Sequence, residues 1–271
     1  MGKLEGKVAF ITGAARGQGR SHAIRLAQEG ADIIGIDICK QIATVGYAMA
    51  EPADLDQTVK EVEALDRRMV AIQADVRDIA AMQSAYDEGV AALGPVEIVL
   101  ANAGIGPGSP EPSDQDWLDA LAVNLTGVWN TGRVAIPSMI EAGNGGAIVL
   151  TSSTGGLMGP GSDSPGLLGY TVAKHGVVGL MRCWANFLAP HFIRVNSVAP
   201  TSCRTPMAAN LNFDELMNVN PMLASALTNA MPVNMVEPLD VSNAIAWLVS
   251  DEARYVTGSV IPVDAGCLNK R

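Results

Sequence analysis

The chain is poor in cysteine. Its four, Cys39, Cys183, Cys203 and Cys267, stand far apart in 271 residues, with no C-x-x-C pair and no clustered histidines. Neither a disulfide framework nor a zinc site is indicated, no metal is expected, and a reducing cytoplasm fits. Basic residues are also scarce: 18 Lys and Arg against 28 Asp and Glu leave a net charge of −10. That balance repels a phosphate backbone, so nucleic acid is not an expected partner. No apolar run reaches membrane-spanning length, the longest being broken by Arg182 or by glycines. The opening MGKLEGKVAFITG lacks the basic region, long apolar stretch and small-residue cleavage site of a secretory leader. A soluble, cytoplasmic protein with no membrane partner is expected. Charged residues make up only 17% against 48% hydrophobic, and the 28 glycines follow no G-x-y period, so disorder and collagen are excluded.

Short β-branched runs recur at 8–11, 33–36, 70–72, 98–100, 147–150, 195–198 and 260–263, and helical spacing fills 21–29, 55–65, 82–93, 117–139 and 171–188. Continuously apolar strands alternating with helices predict a Rossmann-type, doubly wound α/β fold, with a parallel sheet of about seven strands in one domain spanning 1–271. Two segments break the rhythm. Residues 38–53 are long for a strand-to-helix connection, which usually takes about 2–6 residues. Residues 200–237 hold Met207, Met217, Met222, Met231 and Met235, five of the twelve methionines. They read either as an adaptable flap beside an apolar substrate or as ordinary core filling.

After the first strand comes Thr12-Gly13-Ala14-Ala15-Arg16-Gly17-Gln18-Gly19, leading into a helix near Arg20. Glycines permit a tight turn and let backbone approach a pyrophosphate, whose charge then meets the free N–H groups of the helix start. Eighteen residues beyond Gly19 the second strand ends in Asp37, which can accept hydrogen bonds from ribose hydroxyls and repel a 2′-phosphate. This favours NAD over NADP. Arg16 pulls the other way, since an arginine here can meet a phosphate.

Farther on stand Asn102-Ala103-Gly104 after the fourth strand, Asn124, Ser152-Ser153 after the fifth, and Tyr170-Thr171-Val172-Ala173-Lys174. Residues four apart lie on one helix face, so Lys174 can set an ammonium beside the Tyr170 phenol and lower its pKa towards working pH. With the T-G-x-x-x-G-x-G loop, these motifs resemble the short-chain dehydrogenase/reductase family across essentially the whole chain. The resemblance implies hydride exchange between NAD and a secondary alcohol or ketone. Tyr170 would be the proton carrier, Lys174 would also hold the nicotinamide ribose, and Asn124 would support a relay water. Ser153 would polarise the substrate oxygen, with Ser152 as the alternative. It further implies cofactor contacts from Gly13, Arg16, Gly17, Gln18, Gly19, Asp37 and Ile38, from Asp75-Val76 at the adenine, and from Asn102, Ala103 and Gly104. Pro200, Cys203 and Thr205 match the region that cradles the carboxamide.

The sequence departs from the commoner pattern at Gln18, at Ala101 before Asn102, and at Thr201, where glycine is usual. Those departures, the insertion after Asp37-Ile38-Cys39 and the ending Asp264-Ala265-Gly266-Cys267 resemble the mycofactocin-coupled subfamily, which includes carveol dehydrogenases. That likeness implies NAD covered at its adenine end by the insertion, mycofactocin as electron acceptor, and an apolar or terpenoid alcohol as substrate. The helices carrying Trp129 and Trp184 resemble those that pair into homotetramers. His22, His175 and His191 form no ligand set, and His22 reads as a helix-surface or packing residue. A conventional ketoreductase with exchanging NAD(P)H and a non-catalytic NAD-binding sensor are the competing readings.

Overall fold

The computed structural model describes residues 2–106, 111–208, 218 and 221–270. Seven strands form one sheet: β1 (Val8–Thr12), β2 (Asp32–Asp37), β3 (Met69–Gln73), β4 (Ile98–Ala101), β5 (Gly146–Thr151), β6 (Ile193–Pro200) and β7 (Val260–Val263). All pairs are parallel in the order β3-β2-β1-β4-β5-β6-β7. The order reverses between β1 and β4, and in such sheets ligands bind in the crevice at the strand carboxyl ends there.

The central strands are apolar up to their carboxyl ends, where β1 and β5 close in Thr12 and Thr151, because both faces are covered. Successive residues alternate between two cores: Phe10, Ile34, Ile36, Val99 and Ile148 lie in one, Ala9, Ile11, Ile33, Ile98 and Val149 in the other. Helices α1 (Gly17–Gln28), α2 (Pro52–Glu63), α3 (Ile79–Leu93), α4 (Asp114–Leu121), α5 (Gly127–Ala142), α6 (Pro165–Leu188), α7 (Pro221–Leu227) and α8 (Pro238–Val249) supply the cover. The starts of α2, α4 and α8 are fixed by the same device. The backbone N–H of Glu51, Ser113 or Glu237 donates to the carboxylate of Asp54, Asp116 or Asp240, each at 2.9 Å.

The elements differ from expectation where special backbone intervenes. The single helix expected over 117–139 is split into α4 and α5 by a π-turn, Ala122–Thr126, with Asn124 inside it. Helix α1 starts at Gly17, within the glycine loop. Helix α2 starts at Pro52, so it takes the last two residues of the expected insertion. Part of 200–237, including Met217, lies outside the described residues; the described part contains α7.

Candidate active site

The glycine loop is shaped by close backbone approach. Gly13 has φ +72°, and a Cβ on Gly19 would stand 1.9 Å from the Gly13 carbonyl oxygen, so only glycine fits that crossing. The loop is tied to the neighbouring strand by Thr12, whose Oγ1 accepts from the Asn102 and Ala103 N–H groups, each at 3.1 Å. Asn102 Nδ2 returns a bond to the Thr12 carbonyl at 3.1 Å. At the end of β2, Asp37 accepts from the N–H groups of Ala15 (3.0 Å) and Cys39 (3.1 Å). Burial pushes its carboxyl above the usual carboxylate range, opposed by those two bonds and by the Arg16 charge. The Arg16 guanidinium donates to the Ala48 carbonyl, so it is engaged by the insertion. Gln18 Oε1 is buried and has no partner among the described residues.

Three residues that the sequence reading did not single out organise this half. Arg20 donates to the Ala15 carbonyl (2.6 Å), the Asp54 carbonyl (2.7 Å) and Thr58 Oγ1 (3.0 Å), pinning the loop to α2. Gln41 holds the insertion together, donating to the Val45 carbonyl at 2.9 Å and accepting from Met49 N–H at 3.0 Å. Thr44 donates to Asp119 on α4 at 2.7 Å, while Ile42 and Val45 are buried in the core. Asp75, after β3, is paired with Arg77 at 2.7 Å. Val76 is buried, its carbonyl accepting from Asn130 Nδ2 at 2.9 Å.

At the other half, β5 delivers the two serines and α6 delivers Tyr170 and Lys174. Ser152 Oγ is buried and donates to the Lys174 carbonyl at 2.9 Å, so it faces helix backbone. Ser153 Oγ accepts from Gly155 N–H at 3.1 Å and is hydrogen-bonded to the Tyr170 hydroxyl. Lys174 Nζ donates to the Thr151 carbonyl at 2.8 Å and lies 5.6 Å from the Tyr170 ring centre. Burial lowers the lysine to about 8. The expected lowering of the phenol is corrected: burial pushes Tyr170 upward, and the effect opposing it is the Ser153 hydrogen bond. The ammonium donates to a carbonyl, and desolvation of the phenol outweighs the Ser153 hydrogen bond. From the π-turn, Asn124 clasps the Ile105 peptide, accepting its N–H at 2.9 Å and donating to its carbonyl at 3.0 Å. A Cβ on Gly104 would meet Asn124 Oδ1 at 2.8 Å and Lys174 Nζ at 3.5 Å, so the two side chains converge there.

Beyond β6, Thr201 keeps ordinary backbone, its N–H bonded to the Val263 carbonyl (3.2 Å) and its hydroxyl donating to Asn229 Oδ1 (2.8 Å). Cys203 pairs in a short bridge with Val236, and burial pushes its thiol up to about 12, so it stays protonated. Thr205 approaches the glycine loop: a Cβ on Gly17 would lie 3.3 Å from its Cγ2. Every residue that the sequence reading placed in the site, from Gly13 to Thr205, lines a single cavity of about 450 Å³ at the strand carboxyl ends. Pro200 and Ile38 belong to it, and an apolar end is formed by Met158, Leu167, Met207, Leu223 and Leu227.

The family model described as enoyl-(acyl carrier protein) reductase matches residues 13–267. The chain belongs to the short-chain dehydrogenase/reductase family. It is 55% identical to an uncharacterized oxidoreductase of Mycobacterium tuberculosis, over 99% of this chain and 98% of that one. It is 49% identical to (−)-trans-carveol dehydrogenase of Rhodococcus erythropolis, over 98% and 99%. Among solved structures, carveol dehydrogenase from Mycobacterium avium in complex with NAD superposes with a TM-score of 0.90 at 48% identity, covering 100% of both chains. A short chain dehydrogenase from Mycobacterium paratuberculosis bound to NAD gives 0.90 at 45%, over 99% and 100%.

In this short-chain dehydrogenase/reductase, His22 is fully buried rather than on a helix surface, with Nδ1 2.7 Å from Ser242 Oγ on α8. Of the methionines expected in the flap, Met207 lines the cavity, whereas Met222 and Met231 are exposed and serve neither as lining nor as core. No group of three or more potential metal ligands occurs among the described residues, and none of their helices is long and apolar enough to cross a membrane.

Proposed function

We propose that this oxidoreductase interconverts an apolar secondary alcohol, of the cyclic or terpenoid kind, and its ketone, using NAD held in the 450 Å³ cavity. The observation that carries the reading is the hydrogen-bonded Tyr170–Ser153 pair with Lys174 beside it, in the same cavity as the glycine loop. The residues fit a dinucleotide. Gly13 and Gly19 leave a cradle that side chains would fill, Gln18 Oε1 is buried without a partner among the described residues, and Asp37 presents a carboxylate at the end of β2. NAD, when bound, supplies the hydride acceptor or donor at its nicotinamide ring.

The chain's own residues then handle the proton. Ser153 Oγ orients the substrate oxygen, and Tyr170 takes the hydroxyl proton in oxidation or returns it in reduction. Lys174 contributes positive charge near the phenol at neutral pH and holds the nicotinamide ribose. Asn124 fixes the Ile105 peptide and supports the water end of the proton relay. Asp37 receives the adenosine ribose hydroxyls, Asp75 and Val76 border the adenine, and Pro200, Cys203 and Thr205 border the carboxamide.

The insertion, fastened through Thr44 to Asp119 and through Arg16 to Ala48, supports a tightly held cofactor whose electrons leave to mycofactocin. The reading also makes the chain one cytoplasmic domain, with residues 200–237 over the substrate. A homotetramer is included: exposed Leu118, Trp129, Val172 and Phe187 give α4 to α6 an apolar outer face. Replacing Tyr170 by Phe tests the assignment. Nucleotide binding should persist while alcohol oxidation falls roughly 10²–10⁴-fold, the usual contribution of a positioned acid–base group. Wild-type turnover in Tyr170→Phe would refute it.

A further inference from the structure

The insertion reaches beyond the nucleotide end of the cavity. The Tyr47 hydroxyl accepts a hydrogen bond from Gly106 N–H at 3.1 Å, in the same peptide whose Ile105 carbonyl accepts from Asn124 at 3.0 Å. The Ile105–Gly106 peptide is therefore fixed at both ends, its carbonyl by Asn124 from the π-turn and its N–H by Tyr47 from the insertion. Gly106 is also where the segment after β6 arrives. A Cβ on it would stand 2.8 Å from Met207 Cγ and 3.9 Å from Tyr47 Cε1. Both side chains line the cavity that contains Ser153 and Tyr170, and the Tyr47 and Tyr170 phenols lie close enough to interact electrostatically.

We propose that Tyr47 is a specificity-determining residue: its ring, set against Gly106 and facing the same wall as Met207, supplies apolar contact to a ring-shaped alcohol that a small acyclic alcohol does not reach. Its hydroxyl spends an acceptor on Gly106 N–H, which fixes the ring's tilt. Met207 completes the wall beside the same glycine. The inference rests on the oxidoreductase reading above and adds to it the residues that select the substrate.

The test is single-turnover reduction of the nicotinamide, followed by stopped-flow absorbance in saturating NAD, with carveol and with 2-butanol. Each titration gives a limiting rate constant and a half-saturation concentration. Tyr47→Ala should lower the carveol-to-2-butanol specificity ratio roughly 10-fold or more, the scale on which apolar pocket contacts discriminate. The change should lie in the half-saturation for carveol. Tyr47→Phe, which keeps the ring, should hold the ratio near the wild-type value. Met207→Ala should move the ratio in the same direction as Tyr47→Ala, and it decides the matter if Tyr47→Ala does not fold. An unchanged ratio in the alanine variants, or equal losses of rate for both alcohols, would overturn the inference. A wild-type protein that oxidises neither alcohol would instead overturn the oxidoreductase reading on which it stands.

Discussion

His22 gives the fold a specific sensitivity to acid. The imidazole is fully buried between α1 and α8, and its Nδ1 meets Ser242 Oγ, which in turn meets Ser21 Oγ at 2.7 Å. Burial lowers its pKa from 6.5 to about 3, with a contact to Asn102 opposing the shift. Between those values the unfolded chain binds a proton that the native chain refuses, so stability is complete above about 6.5 and is lost as pH falls towards 3. Each pH unit in that window is worth about 1.4 kcal/mol, so going from about pH 7.5 to about pH 5 removes about 2 kcal/mol through this one group. Equilibrium urea unfolding at the two pH values, on wild type and on His22→Asn, isolates the contribution. Asparagine offers Ser242 an acceptor but does not titrate. The wild type should lose about 2 kcal/mol more than the variant. Equal losses in the two proteins would show that His22 titrates in the native state and would refute the assignment of its burial as the cause.

Gly19→Ala puts a methyl against the Gly13 carbonyl and should weaken NAD binding about tenfold or more by calorimetry, about 1.4 kcal/mol; an unchanged Kd would contradict the close-approach account. On the proposed reading Asp37 repels a 2′-phosphate, so Asp37→Ala should raise the ratio of NADP to NAD affinity roughly tenfold. A fixed ratio in competition binding would count against Asp37 as the selector. Lys174→Met should abolish alcohol oxidation while raising the melting temperature near neutral pH. The native lysine, held at about 8, carries a charge penalty that is fully present below that value and fades as pH approaches 10.5; a lower melting temperature in calorimetry would contradict this.

All seven strands were legible in the sequence, most of them because parallel strands covered on both faces read as apolar runs, although β6 carries Asn196 and Ser197; Phe10 and Ile11 show why: neighbours feed different cores. The choice of Ser153, Tyr170 and Lys174 rested on the family resemblance, and the fold does bring the three to one cavity. The π-turn at Asn124 was not, since 3.6-residue periodicity runs on both sides of a single added residue. The start of α1 was missed because glycine carries little helix signal, although Gly17 is helical here. Neither the direction of the Tyr170 shift nor the aim of Lys174 at Thr151 can be read from a four-residue spacing; both depend on burial. Gln41, Thr44 and Tyr47 act through polar bonds from a loop, which leave no periodic trace. Arg20 and His22 sit in a helix whose pattern says nothing of the α2 and α8 atoms they meet.

Native mass spectrometry of extensively dialysed protein, followed by addition of carveol without free NAD, tests the central claim most directly. The account predicts subunits that retain one NAD each and a single rise in nicotinamide absorbance that stalls until an external electron acceptor is supplied. Protein that emerges without nucleotide and turns over only when NAD is added would contradict a retained cofactor, and no absorbance change under either condition would contradict the alcohol dehydrogenase itself.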